Sequence, residues 1–197
     1  MTIRSLSFSD IPRVISLHKD TIQSPGSRIG TTYLSGFYHL FLRKDQIFSC
    51  FVALDDSSIV GVISGSLDVG KAQKFMMSLR IDWRIVAATA WSLLRTHVML
   101  KQLYDSSLVR DYVHRRNLAM QGVTGSILSL AIDKRCQRQG IGSSLVDRFA
   151  KTLRTHHVNR IFVDTLKTNM GARAFYLRNG FTLDSFIVDS AIFMREC

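Results

Sequence analysis

The amino-acid sequence predicts a single mixed α/β domain in which strands and helices alternate around one sheet. At 197 residues, the chain is long enough for one ordinary domain with a sizeable core. Apolar residues make up 46% of the chain and charged residues 21%, a balance typical of globular proteins and not of disordered ones. Segments with strand-like and helix-like apolar spacing follow one another along the chain, without a linker or an internal repeat.

Residues 1–70 contain signals for a strand, two helices and a hairpin. Thr2–Leu6 predicts a short strand, and Ser9 or Asp10 is expected to cap a helix that has Pro12 in its first turn. A second helix, rich in aromatic residues, is expected over Thr31–Arg43. The hairpin is predicted from two apolar runs separated by four Asp and Ser residues, and these runs are Ile47–Leu54 and Ile59–Leu67.

Residues 71–117 differ from the strand-like sequence on either side. Apolar residues recur there at helical intervals, and the segment carries nine Lys or Arg against three Asp. We interpret it as a basic insert of two or three amphipathic helices. Its most apolar window, Ile85–Leu94, has ten residues, which are too few to span a bilayer.

Residues 123–197 read as alternating strands and helices. The strand Ile127–Ile132 leads to a helix over Gly142–Thr155, and the strand Arg160–Leu166 leads to a helix over Met170–Asn179. The first helix is expected to bury Leu145, Val146, Phe149 and Leu153. Gly180 is expected to end the second helix in a left-handed conformation, with Phe181 in the core. Two strands close the chain, over Phe181–Val188 and Ala191–Met194.

The run Gln137-Arg138-Gln139-Gly140-Ile141-Gly142 lies between a predicted strand and a predicted helix. A helix N-terminus offers unpaired N–H groups and the positive end of the helix dipole, which suit a pyrophosphate. Glycine has no Cβ, so phosphate oxygens can approach the backbone. Lys134, Arg135 and Arg138 add positive charge. An ordinary turn, in which the glycines only change the chain direction, is the alternative. The spacing is neither the dinucleotide fingerprint nor the P-loop.

This run resembles the pyrophosphate loop of the GNAT superfamily of N-acetyltransferases, Gln/Arg-x-x-Gly-x-Gly/Ala. Downstream, Asn169…Ala172…Phe175-Tyr176…Gly180-Phe181 is similar to that family's Asn-x-x-Ala-x-x-Phe-Tyr-x-x-x-Gly-Phe. The resemblance implies a single GNAT-like domain with a central, mostly antiparallel twisted sheet flanked by helices. Residues 1–70 would form the acceptor-side half and residues 123–197 the acetyl-CoA-binding half, with the basic helical insert 71–117 before the coenzyme-binding strand.

The resemblance also implies roles for individual residues. Tyr176 would protonate the departing thiolate, and the N–H group of Ile132 would polarise the thioester carbonyl. A tyrosine that only packs its ring beneath the sheet is the alternative for Tyr176. The residues implied to contact the coenzyme are Leu130, Ala131, Ile132, Gln137, Arg138, Gln139, Gly140, Ile141, Gly142, Ser143, Asn169, Ala172 and Phe175.

The general base stays open, because the strand before the loop, Val123–Ile132, contains no carboxylate. An amine acceptor must lose a proton before or during attack. The candidates are Asp164 on the next strand and, in the acceptor half, Asp68, Asp82, His39 and His114. Cys50, Cys136 and Cys197 form neither a disulfide framework nor a zinc pattern, and we expect no metal.

The net charge of +11 indicates an anionic partner. We expect an acetyltransferase that moves the acetyl group of acetyl-CoA to a primary amine of a small anionic acceptor, such as an amino sugar nucleotide. The alternatives are a protein or peptide acceptor, and a non-catalytic module that binds nucleic acid or an anionic membrane. Nucleic acid is the less favoured partner, while peripheral membrane contact and a homodimer stay open. The few, widely spaced cysteines and the absence of a signal-like start favour the cytoplasm.

Overall fold

The computed structural model describes residues 1–22, 30–78, 108–109, 111–112, 115–116 and 123–197. The strands in these ranges are β1 (Thr2–Ser5), β2 (Phe48–Asp55), β3 (Ser58–Ser66), β4 (Thr124–Ile132), β5 (Arg160–Leu166), β6 (Thr182–Ile187) and β7 (Ser190–Glu196). The helices are α1 (Ile11–Thr21), α2 (Thr31–Arg43), α3 (Val69–Ser78), α4 (Ile141–Thr155) and α5 (Met170–Arg178). Short 3₁₀ turns precede α1 and follow β4, over Phe8–Asp10 and Lys134–Cys136.

All seven strands form one sheet in the order β1-β2-β3-β4-β5-β7-β6. Neighbouring strands are antiparallel except β4 and β5, which are parallel and joined through α4. The prediction of a mixed, mostly antiparallel sheet with flanking helices is therefore confirmed.

Helices α4 and α5 cover one face of the sheet, which we call the donor face. All four apolar residues predicted for the inner side of α4 are fully buried there: Leu145, Val146, Phe149 and Leu153. A spacing of three and four residues places these side chains on one side of the helix. Phe181, as expected, is also in this core at 2% exposure, and Gly180 ends α5 with a φ of 77°.

Helices α1 and α2 cover the other face over β2, β3 and β4, which we call the acceptor face. Val14 of α1, Tyr38 of α2 and Val52 of β2 are fully buried in that core. Farther along the same face, over β5 and β7, a smaller cluster joins Val109 to Phe162 and Ile192. The acceptor face is thus covered by two separate groups of residues, one over β2–β4 and one over β5 and β7.

Some local expectations differ from the structure. Asp10 occupies the N-cap position of α1, but its carboxylate binds Arg4 at 2.6 and 2.9 Å and the Ser7 hydroxyl at 2.6 Å, and it does not cap that helix. The partly buried ion pair with Arg4 ties β1 to the turn before α1. Helix α3 begins at Val69, two residues before the predicted start of the insert. Most of the insert, including Asp82 and His114, lies outside the described residues.

Within the described ranges, no helix is long and apolar enough to cross a membrane. The same residues contain no group of three or more His, Cys, Asp or Glu side chains placed to hold a metal ion.

Two glycines with opposite surroundings test this packing. A Cβ on Gly65 would lie 2.2 Å from the Ser126 carbonyl oxygen and 2.4 Å from Phe149 Cζ, whereas a Cβ on Gly36, inside α2, would meet nothing within 4 Å. We expect Gly65→Ala to lower the free energy of unfolding by about 1–3 kcal/mol through overpacking. Gly36→Ala should raise it by about 0.5–1 kcal/mol through helix propensity. Denaturant titration of both variants measures the difference, and equal stabilities would contradict the β3–β4–α4 packing.

Candidate active site

The central parallel strands β4 and β5 separate soon after they begin. They pair at only three positions, Thr124–Arg160, Gly125–Ile161 and Ser126–Phe162. Strand β4 continues to Ile132 and stays paired with β3, with a bulge that leaves Leu128 outside the β3–β4 register. Beyond Ser126 and Phe162, the facing edges of β4 and β5 therefore border a gap in the sheet.

The backbone of β4 presents N–H groups to this gap. Asp133 N donates to Val60 O of β3 at 2.8 Å. Because N–H directions alternate along a strand, Ala131 also faces β3, whereas Leu130 and Ile132 point to the opposite edge. The Gln137 side-chain amide donates to the Ile132 carbonyl oxygen at 3.2 Å and closes the end of this edge. Leu130 and Ile132 are thus placed as N–H donors. Ala131, predicted with them, has its N–H directed at β3 and its side chain in the acceptor-face core.

The loop after β4 forms a concave backbone site. Arg138 and Gly140 have left-handed φ angles of 64° and 80° on either side of Gln139. Backbone conformations of alternating hand turn successive N–H groups toward one point, which binds anions. Helix α4 starts directly afterwards without a side-chain cap from the described residues, and its first bond runs from Ser144 N to Gly140 O at 3.0 Å. The N–H groups of residues 141–143 are therefore oriented toward an anion at the positive end of a 15-residue helix.

The two glycines of this loop serve different purposes. A Cβ on Gly140 would meet nothing within 4 Å, so the backbone there is open to an approaching group. A Cβ on Gly142 would lie 3.0 and 3.2 Å from two ring atoms of Phe175. The sequence predicts phosphate access at both positions. At Gly142 the missing Cβ also makes room for the Phe175 ring. Ile141 is a core residue at 5% exposure, so only its backbone is available to a ligand.

Helix α5 carries the second predicted motif. Asn169 caps this helix, with its side-chain oxygen accepting from Ala172 N at 3.0 Å, a role that sequence reasoning missed although Asn is a preferred N-cap residue. Ala172 and Phe175 are half-buried against the donor-face core. The motif therefore holds α5 in place beside the loop that precedes α4.

Tyr176 is embedded in the donor-face core at 7% exposure. Its ring contacts Phe175 and Phe181 edge-on, with both centroid distances 5.3 Å. The Tyr176 ring is therefore part of the donor-face core. Burial raises the pKa of Tyr176, and the negative charge of Asp164 raises it further, so the hydroxyl lies within electrostatic range of that carboxylate.

Asp164 lies on β5, two residues beyond the last pair with β4. By strand alternation it shares the acceptor face with Phe162. Solvent reaches its side chain, yet the surrounding protein raises its pKa by desolvation, opposed by a hydrogen bond from Ser190. Desolvation depends on the surrounding protein as well as on the contacted surface, so an exposed carboxylate can still lose part of its hydration.

The other described base candidates have structural partners. Asp68 accepts from Lys71 N at 3.0 Å at the start of α3, and the His39 ring packs on Phe8 at 5.6 Å. Neither residue adjoins the gap through a described contact. Among the base candidates that the structure describes, Asp164 is therefore the one that strand pairing places at the gap, across from the edge of β4.

Known proteins resemble this chain in sequence and in fold. The model of the acetyltransferase (GNAT) family matches residues 12–181. N-alpha-acetyltransferase 60 of Drosophila melanogaster is 46% identical over 66 residues, which are 32% of this chain and 24% of the fly protein. The matched region is thus about a quarter of that relative's length.

Two solved structures share the fold across almost the whole chain. PaiA N-acetyltransferase from Thermoplasma acidophilum, in complex with coenzyme A, superposes with a TM-score of 0.64 at 13% identity, covering 100% of this chain and 98% of that one. Ribosomal-protein-alanine N-acetyltransferase from Brucella melitensis gives 0.62 at 11% identity and covers 100% of both chains.

Gly140 offers a direct test of the anion loop. We expect Gly140→Ala to weaken acetyl-CoA binding at least tenfold, about 1.4 kcal/mol, because the added Cβ stands in the open approach and strains a left-handed residue. Gly180→Ala is the matched control, since its φ of 77° imposes the same strain away from the loop. Calorimetry should show a large affinity loss for the first variant only. Equal affinities in two folded variants would contradict the assignment.

Proposed function

The chain belongs to the acetyltransferase (GNAT) family, and on that premise we propose that it transfers the acetyl group of acetyl-CoA to the α-amino group of a protein or peptide N-terminus. The observation that carries this proposal is the position of Asp164, a carboxylate on the acceptor face at the gap between β4 and β5. An acetyl-CoA-dependent N-acetyltransferase domain needs a site for the coenzyme, a donor to the thioester oxygen and a path for the amine proton. Residues around the gap can supply all three.

The concave loop and the edge of β4 fit acetyl-CoA. The backbone N–H groups of residues 138–143 would hold the pyrophosphate, with Arg138 adding charge. The N–H groups of Leu130 and Ile132 would hydrogen-bond the substrate in the gap, and that of Ile132 would stabilise charge on the thioester oxygen as it forms. Acetyl-CoA supplies the activated acyl group, and the protein supplies orientation and these fixed donors.

Asp164 is placed to bind and deprotonate the acceptor. A carboxylate attracts a cationic amine and repels an anionic acceptor group. Its raised pKa also makes it a stronger base than an ordinary aspartate. A peptide α-amine has a pKa of about 7.7–8.0, against about 10.4 for a lysine side chain, so its proton is removed more easily at neutral pH. The chemistry at Asp164 therefore favours an α-amine.

Asp164 and Tyr176 are coupled through charge. Burial raises the pKa of Tyr176, and while Asp164 is ionised its charge raises that pKa further. When Asp164 takes the proton of the amine, it becomes neutral and this contribution is lost. Tyr176 then becomes a better acid at the stage when the thiolate departs and needs a proton. Deprotonation of the acceptor would thereby promote protonation of the leaving group.

The names of the relatives agree with this acceptor. The fly relative is named for acetylation of an α-amine, and the Brucella neighbour for acetylation of an alanine of a ribosomal protein. The small anionic acceptor is the second candidate, favoured by the net charge of +11. The basic insert supports a small anionic acceptor less in its described part. There, Arg115 pairs with Asp111 and Arg116 with Asp184, so both charges are already neutralised.

An acceptor screen tests the choice. Thiol release from acetyl-CoA would be measured with peptides that have a free α-amine, the same peptides with a blocked N-terminus and an internal lysine, amino sugars, their nucleotides, and polyamines. We expect turnover with the free α-amine peptides and at least tenfold less with the blocked ones. Preferential turnover of the sugar nucleotides would replace the peptide proposal with the small-anion one.

Substitution of Asp164 tests the base. Asp164→Asn should lower kcat by about 10²–10⁴, as expected for loss of a general base, with little change in the KM for acetyl-CoA. Asp147→Asn is the matched control, because that carboxylate lies 68% exposed on α4 and pairs with Arg195. The kcat of the control should stay within twofold of the parent. Full activity in Asp164→Asn would remove the base from the mechanism.

The pH dependence of stability is an independent readout for the same variant. A carboxylate whose pKa is raised in the folded state favours folding below its unfolded pKa of about 3.9, and this contribution is lost as the pH rises through the folded pKa. Asp164→Asn removes the ionisable group, so the variant does not lose this stability as the pH rises. The variant should therefore melt at a higher temperature than the parent at pH 7, and the difference should shrink toward pH 3. A lower melting temperature at pH 7 would contradict the desolvation of Asp164.

A further inference from the structure

Part of the basic insert docks on the acceptor face of the sheet. The described residues 108, 109, 111, 112, 115 and 116 are helical, and we call them the docked segment. Its contacts with the sheet come from Val109, Tyr112 and Arg116, whose spacing of three and four residues places them on one side of a helix. The opposite side carries Asp111 and Arg115, which are exposed.

The contacts combine one buried apolar residue with a shared carboxylate. Val109 is 5% exposed and packs with Phe162 of β5 and Ile192 of β7. The Tyr112 hydroxyl and Arg116 Nη2 both donate to Asp184 on β6, the latter at 3.0 Å. The side chain of Asp184 is 11% exposed and that of Arg116 is 44% exposed, so the carboxylate is shielded while the guanidinium keeps contact with solvent.

The docked segment lies beside the proposed base. Phe162 precedes Asp164 by two positions on the same face of β5, and Ile192 is the register partner of Asp164 on β7. Val109 forms one buried cluster with Phe162 and Ile192 and thereby covers the sheet next to Asp164. Helices α1 and α2 cover the acceptor face on the other side of the gap.

We propose that the docked segment forms one wall of the acceptor site, and that its anchor on Asp184 sets the affinity for the acceptor. This inference rests on the proposed function, since it takes the gap beside Asp164 as the place where the acceptor amine binds. Arg116 and Tyr112 are then positioning residues, which act on the acceptor through the placement of Val109 and its neighbours. The pyrophosphate loop lies outside these contacts, so the coenzyme should be bound independently of the wall.

Two adjacent arginines provide a matched experiment. Arg116→Ala removes a hydrogen bond to the sheet, whereas Arg115→Ala removes only a pair with Asp111 on the segment's own surface. Both substitutions delete one positive charge. We expect Arg116→Ala to raise the KM for the acceptor at least fivefold and to change the KM for acetyl-CoA less than twofold. Arg115→Ala should change neither by more than twofold.

Tyr112→Phe is a milder second variant, because it keeps the ring and deletes only the donor to Asp184. It should raise the acceptor KM in the same direction and leave the thermal unfolding curve close to that of the parent. A parallel rise of both KM values, or equal effects of Arg115→Ala and Arg116→Ala, would overturn the wall and indicate general structural support or a nonspecific charge effect. So would an unchanged acceptor KM in both Arg116→Ala and Tyr112→Phe.

The acceptor in these assays is whichever amine turns over in the screen described above. If a small amine turns over and the peptides do not, the peptide proposal fails, while the wall can still be measured with that amine. If Asp164→Asn is inactive and Arg116→Ala is normal, the wall fails and the proposed base survives. The two proposals therefore fail by different results.

Discussion

The separation of β4 from β5 is the constraint on which the rest of the site depends. Three paired positions hold the strands together at Thr124–Ser126, and past them each strand presents one edge to the gap. The N–H groups of Leu130 and Ile132 line one edge, and Asp164 follows on the other strand. Strand β4 stays in the sheet because it is paired with β3 along its other edge. Two buried hydroxyl pairs add to the backbone pairing, Ser64–Ser129 at 2.6 Å and Ser66–Ser126 at 2.9 Å.

This arrangement places the two proposed proton-transfer groups on opposite faces of one sheet. Tyr176 belongs to the donor-face core, and Asp164 lies on the acceptor face. The charge of Asp164 still raises the pKa of Tyr176. The desolvation that makes Asp164 a stronger base also destabilises its charged form, so the folded protein carries this carboxylate at a cost in stability, as perturbed groups at functional sites commonly do.

Local patterns in the sequence were sufficient for the described strands and helices of residues 1–70 and 123–197. The apolar stripe of α4 and the turn at Gly140 are both encoded within a few neighbouring residues. Contacts between distant residues were not predictable in this way. The packing of Phe175 on Gly142 joins two helices, and the preference for Asp164 over Asp68 and His39 depends on where β4 and β5 stop pairing. That register is set by the whole sheet and by the bulge at Leu128, neither of which has a local signal. The capping role of Asn169 did have one, since Asn directly precedes α5.

Ligand binding at the open edge of β4 also couples the stability of the folded protein to the concentration of the ligand. A ligand that pairs with this edge completes a sheet that exists only in the native chain, and the unfolded chain offers it no comparable surface. By mass action, such a ligand at about one hundred times its dissociation constant adds about 2.7 kcal/mol to the free energy of unfolding. If acetyl-CoA is that ligand, the lifetime of the folded protein in the cell would rise and fall with the supply of its own substrate.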